Sequence, residues 1–162
     1  MNIFVLDLDP RKAAQMMCDK HIPKMILESA QLLCSPFEPG TAPYKRSHYN
    51  HPCAKWVRES EDNFNWLFDH AFALNKEYMK RYSLPKTGLD IPHKSFEVCG
   101  WALSNVDKIQ FSTQGLTPFA QAMPEECRRE NVVEAYRTYY LTHKREIAKW
   151  EKGTDAPDWW KI

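Results

Sequence analysis

Apolar and aromatic residues recur at Trp56, Val57, Phe64, Leu67, Phe68, Ala71, Leu74, Tyr78 and Tyr82. The steps are mostly three and four, so this stretch is a helix with one face buried. Asn50-His51-Pro52 starts it and Ser83-Leu84-Pro85 is expected to stop it, with room for a break at 59–62. A long one-sided helix needs other helices or a sheet to cover it. The chain has little to build a sheet from: residues 2–6 are the one credible strand, and one strand makes no sheet.

Other segments also read as helix. Asp9-Pro10 is a capping residue followed by a proline suited to a first turn. Ala13, Ala14, Met16, Met17, Met25, Ile26, Ala30, Leu32 and Leu33 follow with loose helical spacing, and Pro23 predicts a kink or a division into two helices. Ser35-Pro36 ends this segment, and 35–50 is a loop carrying Lys45, Arg46, His48 and His51. A shorter helix is expected over 94–106, weakened by Gly100. Thr117-Pro118 and Met123-Pro124 open short elements, and a last long helix is expected over 131–150 with Tyr136 and Tyr140 on its core side. The final Trp159-Trp160 is ordered if it docks on the body. The expected fold is all-α: one compact domain over 1–162, with three to four main helices.

Composition narrows the function classes. A net charge of +1 announces no global nucleic-acid partner, so any basic surface is local. The 13% aromatic content suits a core and also base stacking. No apolar run approaches a membrane span of roughly 20 residues, and the start turns acidic too soon for a signal peptide. The five cysteines contain no C-x-x-C pair and read as reduced, mostly buried thiols of a cytoplasmic protein.

One polar stripe interrupts the first long helical segment. His21, Lys24 and Glu28 lie three, four and seven apart and share a helix side, with Cys18 and Lys20 at its edge. An acid beside lysines and a histidine suits proton transfer next to an anionic ligand. A solvated face with ordinary charge pairs satisfies the same pattern.

Asp19-Lys20-His21-Ile22, with Glu28 seven residues after the histidine, resembles the pyrimidine-dimer DNA glycosylase (endonuclease V) family of phages. That family carries Asp-Gln-His-Leu on its first long helix and a catalytic Glu seven residues after the His. The His51-led helix is similar to the family's second long helix, and Ala135-Tyr136-Arg137-Thr138-Tyr139-Tyr140 to its aromatic and basic stretch. Val5-Leu6-Asp7-Leu8-Asp9-Pro10, His51-Pro52-Cys53-Ala54 and the run from Leu116 to Pro124 also look like a group of small phage proteins, a likeness that brings no chemistry.

The glycosylase resemblance implies an endonuclease V-like fold and a DNA glycosylase, or glycosylase/AP lyase, acting on a damaged or modified base. In that family the α-amine at the chain start attacks C1′ of the damaged nucleotide. An imine forms, the base leaves, and β-elimination cuts the backbone. An α-amine suits this role because an ordinary pKa of roughly 7.7–8.0 leaves part of it neutral near pH 7. The resemblance carries the catalytic acid to Glu28 and the substrate-side histidine to His21, with no metal or cofactor; the family's amine belongs to a small residue exposed when the initiator Met is removed, and here it would be that of Met1. The bulky Asn2 implies that Met1 is retained. Leu27 and Gln31 stand where the family has arginines immediately before and three after its Glu. Arg11, Lys20 and Lys24 are the cations placed to substitute, and a damaged or modified base other than the dimer fits these departures better.

Further expected DNA contacts are Lys45, Arg46 and His48 in the loop, and Arg137 and Lys144 on the last helix. Two alternatives stay open. One is a non-enzymatic module binding nucleic acid or a host protein. The other is a zinc site drawn from Cys18-x2-His21 and His48-x2-His51-x-Cys53.

Overall fold

The structure is a computed structural model, and it describes residues 1–161. Its helices are α1 (Pro10–Met16), α2 (His21–Cys34), α3 (Pro52–Val57), α4 (Glu61–Tyr78), α5 (Leu84–Thr87), α6 (Phe96–Ser104) and α7 (Val132–His143). A π-helical turn, Met79–Ser83, joins α4 to α5, and 3₁₀ turns cover Val106–Lys108 and Glu125–Cys127. Four helices of nine residues or more carry the fold, as expected of an all-α chain.

Capping side chains set the starts. Asp9 accepts from the Arg11 N–H at 2.8 Å, and Ser60 accepts from the Asn63 N–H at 3.1 Å ahead of the acidic first turn of α4. His51 Nδ1 accepts from the Cys53 N–H at 3.1 Å, while Asn131 accepts from Val133 and Glu134. Helix α2 packs against α4 and α6, and α1 against α4. Ile22, Met25, Ile26, Leu32 and Leu33 of α2 meet a core that includes Phe64, Leu67, Ala71 and Leu74 of α4. Burying each of the larger of these side chains contributes about 1.5–3 kcal/mol.

The boundaries depart from the sequence reading in five places. The break in the first segment falls at 17–20. Pro23 sits in the first turn of α2, where its missing N–H costs no hydrogen bond. Ser83-Leu84-Pro85 does not stop the second helix, because Pro85 opens the next turn and Gly88, at φ +74°, closes it. The last helix ends at His143, with a further turn at 144–148. Thr117-Pro118 opens no helix. Residues 2–6 form no strand, and among the described residues the one β-bridge joins Ser60 and Thr113.

Candidate active site

The first six residues thread into the core. Residues 2–6 are buried, and Asn2 is the anchor. Its Nδ2 donates to the Ala122 carbonyl at 2.8 Å. Its Oδ1 accepts from the Ile3 N–H at 2.8 Å and lies 2.9 Å from Tyr136 Oη. Phe4 adopts φ +61°, a left-handed conformation uncommon for an aromatic residue, so the surrounding contacts must hold it there. Its ring stacks on His21 (4.6 Å, 28°) and on Tyr139 (5.8 Å, 18°).

This anchoring delivers the Met1 α-amine to α2. The amine nitrogen lies 3.3 Å from Glu28 Oε1, and the two side chains are 4% and 12% exposed. Glu28 Oε2 is buried without a hydrogen-bond partner among the described residues. Both groups line a cleft of about 320 Å³, near the lower end of the roughly 300–1,000 Å³ range of ligand sites. The α2 wall of the cleft is His21, Lys24, Met25 and Glu28. Phe4, His51, Tyr139 and Lys144 contribute from three other segments.

The electrostatics of the cleft are mixed by design of position. His21 is buried, and burial, followed by the fields of Lys144, Lys24 and Lys20, pushes its pKa down to about 3. It is therefore a neutral imidazole near pH 7. Its Nδ1 lies 2.6 Å from Tyr140 Oη. His51 is also held below its ordinary value, by burial first, then by the Met1 amine and His48, with Glu28 opposing. Lys144 Nζ sits 4.8 Å from the Tyr139 ring centroid. An amine in contact with a carboxylate, ringed by lysines and neutral histidines, suits nucleophilic attack at an electrophilic carbon beside phosphates.

Met1, His21, Lys24, Glu28 and Lys144 thus converge, and exposed Lys20 lies close enough to act on His21. The other expected contacts do not line this cleft. Arg11 is exposed and pairs with Asp9 at 3.6 Å. Lys45 and His48 are exposed on the loop leading to His51. Arg46 donates to the Ser35 and Phe37 carbonyls and stacks on Tyr49, so it ties that loop to the end of α2. Arg137 donates to the Leu6 carbonyl at 3.0 Å and pairs with Asp7 at 3.6 Å, bracing the N-terminal segment.

Asp19 of the Asp-x-His motif has a structural position. Arg81, 1% exposed, donates to Asp19 Oδ1 at 3.2 Å, Glu77 Oε1 at 2.9 Å and the carbonyls of Met17 and Gln15. The second Asp19 oxygen accepts from the Glu151 N–H at 2.7 Å. This clamp holds the α1–α2 break, the π turn and the C-terminal segment together. The proposed zinc ligands do not assemble: among the described residues no group of three or more His, Cys, Asp or Glu could hold a metal ion. All five cysteines are free and buried.

Sequence pattern gives no site signal for Phe4, Tyr139 or Tyr140, and marks Asn2 only by its bulk. Phe4 carried no local signal, since its backbone angle is set by tertiary contacts. Helical spacing puts Tyr140 in the core, where it lies, but a core position says nothing about where its hydroxyl goes.

The family model described as pyrimidine dimer DNA glycosylase matches residues 1–87, the segment that holds Met1, His21, Glu28 and His51. No curated protein and no solved structure matches the chain.

Proposed function

We propose, from the premise that the chain belongs to the pyrimidine dimer DNA glycosylase family, that this DNA glycosylase works through the Met1 α-amine and Glu28 and also cuts at the abasic site. The observation that carries the reading is the 3.3 Å contact between Met1 N and Glu28 Oε1 in the cleft. The neutral amine attacks C1′ of the damaged nucleotide. The glycosidic bond breaks, and its electron pair leaves with the base. Glu28 takes the proton lost by the amine and passes it to O4′ as the C1′–O4′ bond breaks, so that the sugar ring opens and an iminium forms. Removal of a C2′ proton then expels the 3′ phosphate by β-elimination, and water releases the amine.

The cations support a DNA side at the cleft. Lys24 and Lys144 in the cleft, with Lys20 beside it, face the phosphates nearest the reacting sugar. Arg11, Lys45, Arg46 and His48 form an outer set that a longer duplex would reach, while Arg137 braces the N-terminal segment. The matched family is described by the pyrimidine dimer, and Leu27 and Gln31 make another damaged or modified base the alternative substrate.

Borohydride trapping on abasic duplex DNA tests the mechanism. A covalent adduct is expected, and acetylating the α-amine should abolish it. No adduct, or an adduct indifferent to the block, would overturn the amine mechanism.

A further inference from the structure

Among groups outside the amine–carboxylate pair, Tyr140 makes the shortest contact to a cleft residue. Its hydroxyl lies 2.6 Å from His21 Nδ1, and both residues are buried. The Cys18 N–H donates to the same oxygen at 3.4 Å, and Cys18 Sγ lies 3.7 Å away. A phenol has one proton to give. Its two possible acceptors are an imidazole nitrogen at 2.6 Å and a thiol sulfur, a weak acceptor, at 3.7 Å.

We propose that Tyr140 is a positioning residue whose hydroxyl donates to His21 Nδ1 and so fixes the imidazole as the tautomer that presents Nε2–H to the cleft. A neutral imidazole whose Nδ1 is an acceptor carries its proton on Nε2. Among the described residues Nε2 has no hydrogen-bond partner, and the ring lines the cleft with Met1 and Glu28. Phe4 stacked on one face and Tyr140 edge-on at 5.3 Å hold the ring in plane. The charged groups facing it are Lys20, Lys24 and Lys144, with Met1 and Glu28 in the same cleft, and burial among these cations keeps a second proton off.

The consequence rests on the glycosylase reading. With Nδ1 occupied by Tyr140 and Nε2 already protonated, neither nitrogen of His21 serves as a base. Its work is to donate a hydrogen bond to an oxygen of the substrate, on the sugar or a phosphate. Proton acceptance falls to Glu28.

Nitrogen-15 spectra of the histidines in the full chain near pH 7 test this. The expected result is a bare Nδ1 and a protonated Nε2 at His21. Tyr140→Phe should shift the ring toward the other tautomer or a mixture and lower kcat for base release by roughly tenfold or more with little change in KM. Cys18→Ala, which removes the rival acceptor, should leave the tautomer unchanged. A protonated Nδ1 in the unaltered protein, an unchanged tautomer in Tyr140→Phe, or a change in Cys18→Ala would each overturn the assignment. The spectra need no activity. If they come out as expected while borohydride trapping fails, the amine mechanism falls and the Tyr140 assignment stands.

Discussion

Glu28 holds one oxygen on the Met1 amine and keeps the other buried without a partner. A buried unsatisfied oxygen is costly to stability, and in a cleft it leaves an acceptor open for a proton. Glu28→Gln keeps the shape and removes the basicity. Single-turnover base release should fall by about 10²–10⁴-fold while DNA affinity, read by fluorescence anisotropy, holds. A protein that only binds DNA would release no base before or after the substitution. His21 and His70 give a second residue-scale test. Burial lowers His70 to about 4 and, with the lysines, His21 to about 3. Both folded-state values lie below the ordinary 6.5, so the unfolded chain binds protons first on acidification. The stability they contribute is full above pH 6.5 and is lost as pH falls, by about 2 kcal/mol per histidine at pH 5. Urea midpoints at pH 7 and pH 5 measure this, and a flat profile would count against neutral buried histidines. The sequence spacing located Glu28 and His21 because a helix repeats every three to four residues. It missed Phe4 and Tyr140 because their parts depend on an irregular segment and a tertiary hydrogen bond, neither of which has a period.

At the scale of elements, the apolar stripe of α4, the cap at Asp9 and the helix start at 50–52 are legible, since burial, capping and proline leave local marks. The joint between elements was not. Arg81 sits in the π turn, fully buried, and hydropathy assigns an arginine to the surface. The wider turn of the π segment brings its guanidinium onto Asp19 and Glu77 at once. Removing it would strand two carboxylates that are each 9% exposed on the side chain. Arg81→Ala should cost about 3–5 kcal/mol in urea unfolding. Because Asp19 precedes His21 by two residues, the surviving folded fraction should also show a displaced His21. A loss below about 1 kcal/mol would mean that the clamp is not what joins α1, α2 and the C-terminal segment.

For the whole molecule, a net charge of +1 leaves no general attraction to DNA, so binding has to come from where the cations stand. The fold spends several of its basic groups internally: Arg46, Arg81 and Arg137 all brace backbone carbonyls. The C-terminal segment adds to this bracing, with Trp159 and Trp160 against the Tyr140 ring at 6.1 and 6.5 Å, so the expected docking occurs and supports the far side of the site. At the cleft stand Lys24 and Lys144, with Lys20 close to His21. Three phosphate contacts release about three counterions, which gives log K against log salt a slope of about −3 on duplex DNA. Lys24→Ala should reduce that slope by about one. Arg137→Ala should leave the slope unchanged and lower the melting temperature, because it removes the brace on Leu6 and Asp7. A slope near −6 would bring the outer set, Arg11, Lys45, Arg46 and His48, onto the DNA, and the footprint would then extend along the loop that leads into α3.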